Sequence, residues 1–342
     1  MFQANCWDIM LLITEGLCRI ADDRGIILPQ ATIEAVFDYL KKDTEITGIK
    51  ERTTSVEAGT GIKASTPPLL SALLSAFVSV KSDAKLSAGT RAVTKEKLEK
   101  RTSEWLDYTK LMANVIFAEC EGNQPVIIFE GLDKIPIPEN IFKILQFAAL
   151  AQMPFSVIYT FPMSQCYSPQ FSSIRDSYAC HILPMIRVSN IDRSENSGGL
   201  AVIREIVEKR AELALFDGEV GNDVLEHLIR KTGGSLRHLF ECIISAAERA
   251  DWRGAAKIQR EDADSALSDL RGELTRIIAY PDYKSLVSIY SNTNEREQIA
   301  DSDLLLRMMQ TSVVIEYQNG ERWHDLHPLI ADFLIRQGEI VE

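Results

Sequence analysis

Val126-Ile127-Ile128-Phe129-Glu130-Gly131-Leu132-Asp133-Lys134 is the stretch on which the reading of this chain turns. Large apolar residues, β-branched ones among them, follow Pro125 and stop abruptly at Glu130 and Gly131. A short apolar run between breakers fits a strand buried on both faces, as in a parallel sheet. Glu130 and Asp133 would then stand just past the strand's carboxyl end, where open α/β sheets place their ligand crevice. Carboxylates in that place suit Mg²⁺, which prefers oxygen ligands and is often held through water. A buried strand followed by an ordinary polar turn gives the same pattern, so other landmarks must decide between the two.

The composition around this strand sets bounds. At 342 residues and 46% hydrophobic content, the chain can bury a sizeable core in two or three compact units. The formal net charge of -12, without an extended Lys/Arg run, argues against non-specific nucleic-acid binding. Six cysteines are scattered without a C-x-x-C pair, which fits reduced thiols rather than a disulfide framework or a zinc site. Met1 to Ile20 carries Asp8 and Glu15 and lacks a basic leader, so no signal peptide is expected. The apolar run Leu69 to Val80 is too short to span a membrane. A cytoplasmic location without membrane association is the expectation.

Upstream of the strand, helical spacing of apolar residues predicts helices over 8–22, 31–42 and 103–119. Between them, residues 43–101 read as a partly mobile insertion around one short apolar helix. The insertion contains Gly59-Thr60-Gly61-Ile62-Lys63-Ala64-Ser65-Thr66. A phosphate loop needs Gly-x-x-x-x-Gly-Lys-Ser/Thr between a strand and a helix, so that amides and lysine converge on phosphates. Here Ile62 parts the glycine from the lysine and prolines follow at once, so a plain loop is the better reading. Downstream, a helix is predicted over 138–152, a second buried strand over 155–160, and a third over 181–188 with Pro184 inside it. After Gly198-Gly199 an all-helical region follows, with helices over 200–213, 219–230, 235–250 and 260–280. Helices at 283–290 and 301–309 then precede strands at 312–318 and 321–326 joined through Asn319-Gly320, a strong hairpin signal. Pro328 suits the first position of a closing helix over 329–336.

In this order, the landmarks resemble bacterial P-loop ATPases of the AAA+/STAND superclass, which join an ATPase core, a helical lid and a winged helix. The strand Val126 to Phe129 with Glu130 and Asp133 is similar to a Walker B strand ending in an acidic-Gly-Leu-Asp-Lys run. Phe155 to Thr160 is similar to the strand that carries the sensor 1 residue, and Gly233-Gly234-Ser235-Leu236-Arg237 to the sensor 2 pattern of the lid. Trp323-His324-Asp325-Leu326-His327-Pro328 is similar to the stretch that closes the winged helix. The resemblance implies an α/β fold: a P-loop NTPase-like three-layer sandwich, incomplete at its N-terminus, over 1–195, an all-α lid over 196–278, and a winged-helix domain over 279–342. It implies ATP and Mg²⁺ as ligands, with Glu130 and Asp133 managing the metal and the attacking water. Thr160 would sense the γ-phosphate, and Arg237, always charged and forked, would couple phosphate to lid movement. Arg175 and Arg187 lie where such ATPases place an arginine finger, by position only.

Two departures temper this. Glu130 stands where the pattern has Asp, and no Gly-Lys-Ser or Gly-Lys-Thr occurs in the chain. In this superclass the phosphate loop follows a central strand, between the sensor 1 strand and the next, here 181–188. Either sequence upstream of Met1 supplies that strand, another segment or chain fills the slot, or the flanking strands have closed together. Hydrolysis by this chain alone is therefore expected to be weak or absent. The alternative is an adaptor built on a degenerate ATPase fold, with a protein partner or self-association favoured over DNA because the closing helix bears Asp332 beside Arg336. His324 and His327 read as hairpin packing and helix-cap groups rather than metal ligands.

Overall fold

A computed structural model of the protein describes residues 6–43, 102–120, 126–132, 138–219, 222–291 and 302–341. The insertion with Gly59 to Thr66 and Leu69 to Val80 lies outside the described residues, as do Asp133 and Lys134. The chain divides into two compact units, Met1–Pro162 with Pro169–Ala179, and Met163–Ser168 with Cys180–Glu342.

The first unit contains α1 (Cys6–Arg24), α2 (Gln30–Asp43), α3 (Thr102–Glu119), β1 (Val126–Phe129), α4 (Pro138–Leu145), α5 (Ala148–Ala151), β2 (Ser156–Tyr159) and α6 (Phe171–Ser177). α1 sets Ile9, Ile13 and Leu17 at four-residue spacing on one face, and all three are buried. Trp105 of α3 is fully buried, and its indole donates to Thr14 Oγ1 at 3.1 Å, while the Thr14 hydroxyl donates to the Met10 carbonyl at 2.9 Å. That chain satisfies the polar atoms that pack between α1 and α3. The single helix expected over 138–152 is split at Phe147, whose ψ of 109° leaves the helical region while its ring packs against the core.

β1 and β2 pair in parallel, with Val126 opposite Ser156 through to Phe129 opposite Tyr159. On one face Ile127, Phe129, Val157 and Tyr159 pack against the helices. On the other, Val126, Ile128 and Ile158 are 54%, 67% and 53% exposed. The expectation of a strand buried on both faces is therefore corrected: half of its apolar surface faces outward. Among the described residues each strand has a single partner.

The second unit contains α7 (Ser197–Glu208), the short pair β3 (Gly218–Glu219) and β4 (Asn222–Asp223), α8 (Val224–Lys231), α9 (Leu236–Trp252), α10 (Arg260–Thr275), α11 (Tyr283–Ser291), α12 (Ser302–Gln310), β5 (Val314–Asn319), β6 (Glu321–Leu326) and α13 (Pro328–Arg336). The starts of α7, α8 and α9 are each set by a local acceptor. Asn196 takes the Gly199 amide at 3.0 Å, Asp223 the Glu226 amide at 2.9 Å, and Ser235 the His238 amide at 3.4 Å. β5 and β6 form an antiparallel hairpin around Gly320, whose φ of 86° needs a residue without Cβ. One apolar core joins α7 through α13, with Ile203, Leu228, Leu286 and Ile330 among its buried members.

Residues 181–188 are not a strand. They run irregularly within the second unit and form no strand that pairs with β2. Pro184 removes a ladder donor there, and the segment instead presses its backbone onto glycines. A Cβ on Gly199 would lie 1.6 Å from the Arg187 carbonyl oxygen, and one on Gly234 would lie 1.9 Å from that of Ile186.

Candidate functional site

The carboxyl ends of β1 and β2 come together in one turn. Gly131 takes φ 96°, which aims its amide at Thr160, and the Thr160 hydroxyl oxygen accepts that N–H at 3.0 Å. The Thr160 amide in turn donates to the Phe129 carbonyl at 3.1 Å, extending the ladder by one residue. Glu130, just before Gly131, is exposed and Leu132 is buried, so one carboxylate faces outward at this strand end. Thr160 is thus both a strand-end residue and a turn-former. Its hydroxyl can serve a ligand only while still accepting from Gly131. Asp133, the second carboxylate expected here, lies outside the described residues.

Arg237 belongs to the second unit, as the second residue of α9, and is exposed. The turn before it is held from several sides. Gly233 and Gly234 take φ 62° and 86°, and the Tyr317 hydroxyl donates to the Gly233 carbonyl at 2.6 Å. A Cβ on Gly233 would lie 2.7 Å from Pro328 Cδ. Helix start, hairpin and closing helix therefore fix one backbone geometry beneath Arg237. Arg175 lies on α6 in the first unit and Arg187 in the irregular segment of the second.

Two polar clusters of the second unit were not anticipated as clusters. In the first, the Tyr167 hydroxyl donates to Glu316 Oε2, and His324 Nε2 lies 2.8 Å from the Tyr167 oxygen and 3.4 Å from the same carboxylate. With the tyrosine proton given to Glu316, His324 Nε2–H is the donor to the tyrosine oxygen. Burial alone would raise the Glu316 carboxyl, but the His324 and Tyr167 hydrogen bonds outweigh it and hold it below its ordinary value. Burial, then the bond to Glu316, pushes the Tyr167 phenol well above its usual range. Burial first, then the Glu316 charge, pushes the Cys166 thiol up to about 11, away from thiolate chemistry.

In the second cluster, His238 Nδ1 and His327 Nε2 are 3.2 Å apart, with the rings edge to face at 5.2 Å between centroids. The sequence contained these residues but no local spacing to join them, since 89 positions separate the two histidines and 157 separate Tyr167 from His324. Only the expectation of His327 as a helix-cap group pointed this way: His327 Nδ1 accepts from the Leu329 amide at 3.2 Å.

Among the described residues no three His, Cys, Asp or Glu side chains converge as a metal site, and no helix is long and apolar enough to cross a membrane. One open hollow of about 550 Å³ is lined by Arg24, Gly25, Ile26, Ile27 and Glu119, residues of neither β1 nor β2. No protein-family model, curated protein or solved structure matches the chain.

Proposed function

We propose that the protein is a nucleotide-responsive regulatory switch of the AAA+/STAND ATPase type, binding Mg·ATP weakly and turning it over slowly or not at all. The observation that supports this best is the Gly131–Thr160 turn, which ties a threonine hydroxyl to the amide following the exposed Glu130 at the shared carboxyl end of two parallel strands. Glu130 reaches Mg²⁺ through a water, because its side chain is one methylene longer than the Asp of the resembled pattern. Thr160 orients a phosphate oxygen or water. Phosphoryl transfer depends almost wholly on positioning and charge neutralisation, so a chain without Gly-Lys-Ser/Thr binds weakly and lacks turnover. Titration calorimetry tests this. A dissociation constant of about 0.1–1 mM for Mg·ATP is expected, some −4 to −5.5 kcal/mol, weakened in Glu130→Gln, with no phosphate release above background. Micromolar binding with turnover would overturn it, as would no binding at several times the expected constant.

A second reading, an adaptor acting through protein contact or self-association, is favoured by the outward apolar face of Val126, Ile128 and Ile158. Sedimentation velocity separates it: concentration-dependent association of the wild-type chain, abolished by Ile128→Lys without loss of folding, would support contact as the primary function.

A further inference from the structure

The buried histidine pair has a fixed proton arrangement. His327 Nδ1 accepts the Leu329 amide, so that nitrogen carries no proton and Nε2 carries it. Nε2–H then donates to His238 Nδ1, which must be bare, leaving the His238 proton on Nε2. A second proton on either ring breaks one bond of the chain. On His238 it sets two N–H groups against each other, and on His327 it sets Nδ1–H against the Leu329 amide.

The surroundings add to that resistance. Both rings sit at helix N-termini, His327 as the cap of α13 and His238 in the first turn of α9, where the helix dipole disfavours a cation. His327 is fully buried and His238 is 8% exposed. The charged and titratable groups on the packed elements include Arg237 of α9, the Lys231–Asp332 ion pair of α8 and α13, the Arg249–Asp269 pair of α9 and α10, Asp325 with Arg193 at the end of β6, and Tyr317, Glu316 and His324 of the hairpin. Arg237 acts on His238 with the same sign as burial.

The pair also sits at a mechanical junction. The His327 amide donates to the Val313 carbonyl at 2.8 Å, next to the start of β5. Pro328, its neighbour, packs against Gly233, the turn that leads into α9 and Arg237. Closing helix, hairpin and glycine turn therefore meet where the two rings touch.

We infer that His238 and His327 form a proton-sensitive latch: neutral, they hold the start of α9 to the cap of α13, and a proton taken up by either ring releases that contact and loosens the Gly233-Gly234 turn. This goes beyond the nucleotide reading and does not depend on it, because it concerns packing within the second unit alone.

The sign follows from linkage. Burial, and next the His238 ring, depress His327 from 6.5 to about 3, and burial and then Arg237 depress His238 in the same direction. The unfolded chain gains protons that the folded one refuses, so the latch's contribution is complete above about pH 6.5 and is lost progressively as pH falls toward 3.

The test uses the full chain in two measurements. Long-range nitrogen–proton spectra of the five histidines give tautomers directly. At pH 7, His238 and His327 are expected as Nε2–H tautomers, with His327 titrating far below 6.5 and His238 shifted in the same direction. Urea unfolding of the second unit, followed by Trp323 emission, is then compared at pH 7.0 and 5.5. The unfolding equilibrium of the wild type should rise by about tenfold on account of His327, and further on account of His238. His238→Asn and His327→Asn keep an acceptor near the position of Nδ1 but cannot titrate; His327→Asn should remove about tenfold of that rise and His238→Asn a further part of it. A merely structural contact would weaken the variants equally at both pH values. An Nδ1–H tautomer or an ordinary midpoint near 6.5 for His327 overturns the latch, and so does a pH dependence unchanged in the variants. If a variant fails to fold, the wild-type spectra decide alone.

Discussion

Two glycine turns, one after Glu130 and one before Arg237, are built differently. Gly131 takes φ 96° with open space where a Cβ would go. Gly234 takes φ 86° with the Ile186 carbonyl pressed against it. The same contrast runs through the strands that adjoin them. Ile128 in β1 is 67% exposed, whereas Ile315 in β5 is 2% exposed. The turn under Arg237 is thus locked by its neighbours, while the turn beside Glu130 is shaped by one hydrogen bond and faces outward. Fully burying one Ile or Val is worth about 1.5–3 kcal/mol, so the outward face of β1 and β2 holds unrealised stabilisation that a covering layer would recover.

The largest effect that can break this comparison is Gly234→Ala. It combines a left-handed φ with a backbone clash, and a loss of at least about 3 kcal/mol is expected in urea unfolding. Gly131→Ala meets only the conformational strain, about 1–2 kcal/mol. Equal losses would erase the distinction between the turns. Next come core substitutions: Ile330→Ala, at a fully buried site, should lose about 2–4 kcal/mol, whereas Ile128→Ala should stay within about 0.5 kcal/mol. Thr160→Val should cost about 1–2 kcal/mol by orphaning the Gly131 amide, and Thr160→Ser should restore most of it. The smallest effect is at Glu316. Its carboxyl lies below its ordinary value in the folded state, so its stabilisation is present above the unfolded value near 4.5 and is lost as pH falls below that. Glu316→Gln should therefore flatten acid unfolding below pH 4.5 while leaving the histidine-linked change above it intact. A variant that altered both windows would tie the two clusters together.

Much of this architecture was legible from local pattern. The 3.6-residue spacing of Ile9, Ile13 and Leu17 gave α1, and Asn319-Gly320 gave the hairpin, because each signal is written within a few positions. Parallel pairing of β1 with β2 also followed, since a short apolar strand, a helix and a second strand allow little else. The exposure of one β1 face did not follow, because an apolar run states what would like to be buried and not what covers it. Residues 181–188 misled for a related reason: their apolar content serves to pack an irregular segment against Gly199 and Gly234, and Pro184 was the warning. Glu130 and Thr160 were legible as the ends of two strands, yet the Gly131–Thr160 bond was not, since it depends on a positive φ. The Tyr167–Glu316–His324 and His238–His327 clusters are made by tertiary contact alone.

The most direct test of the nucleotide reading is an amide-resolved magnetic resonance titration of the full chain with Mg·ATP. Saturable shifts at Gly131 and Thr160, with a midpoint of about 0.1–1 mM and loss of the response in Glu130→Gln, are expected. Shifts confined to other residues, or a Gly131–Thr160 turn that does not respond at saturating nucleotide, would contradict a nucleotide site at the end of β1.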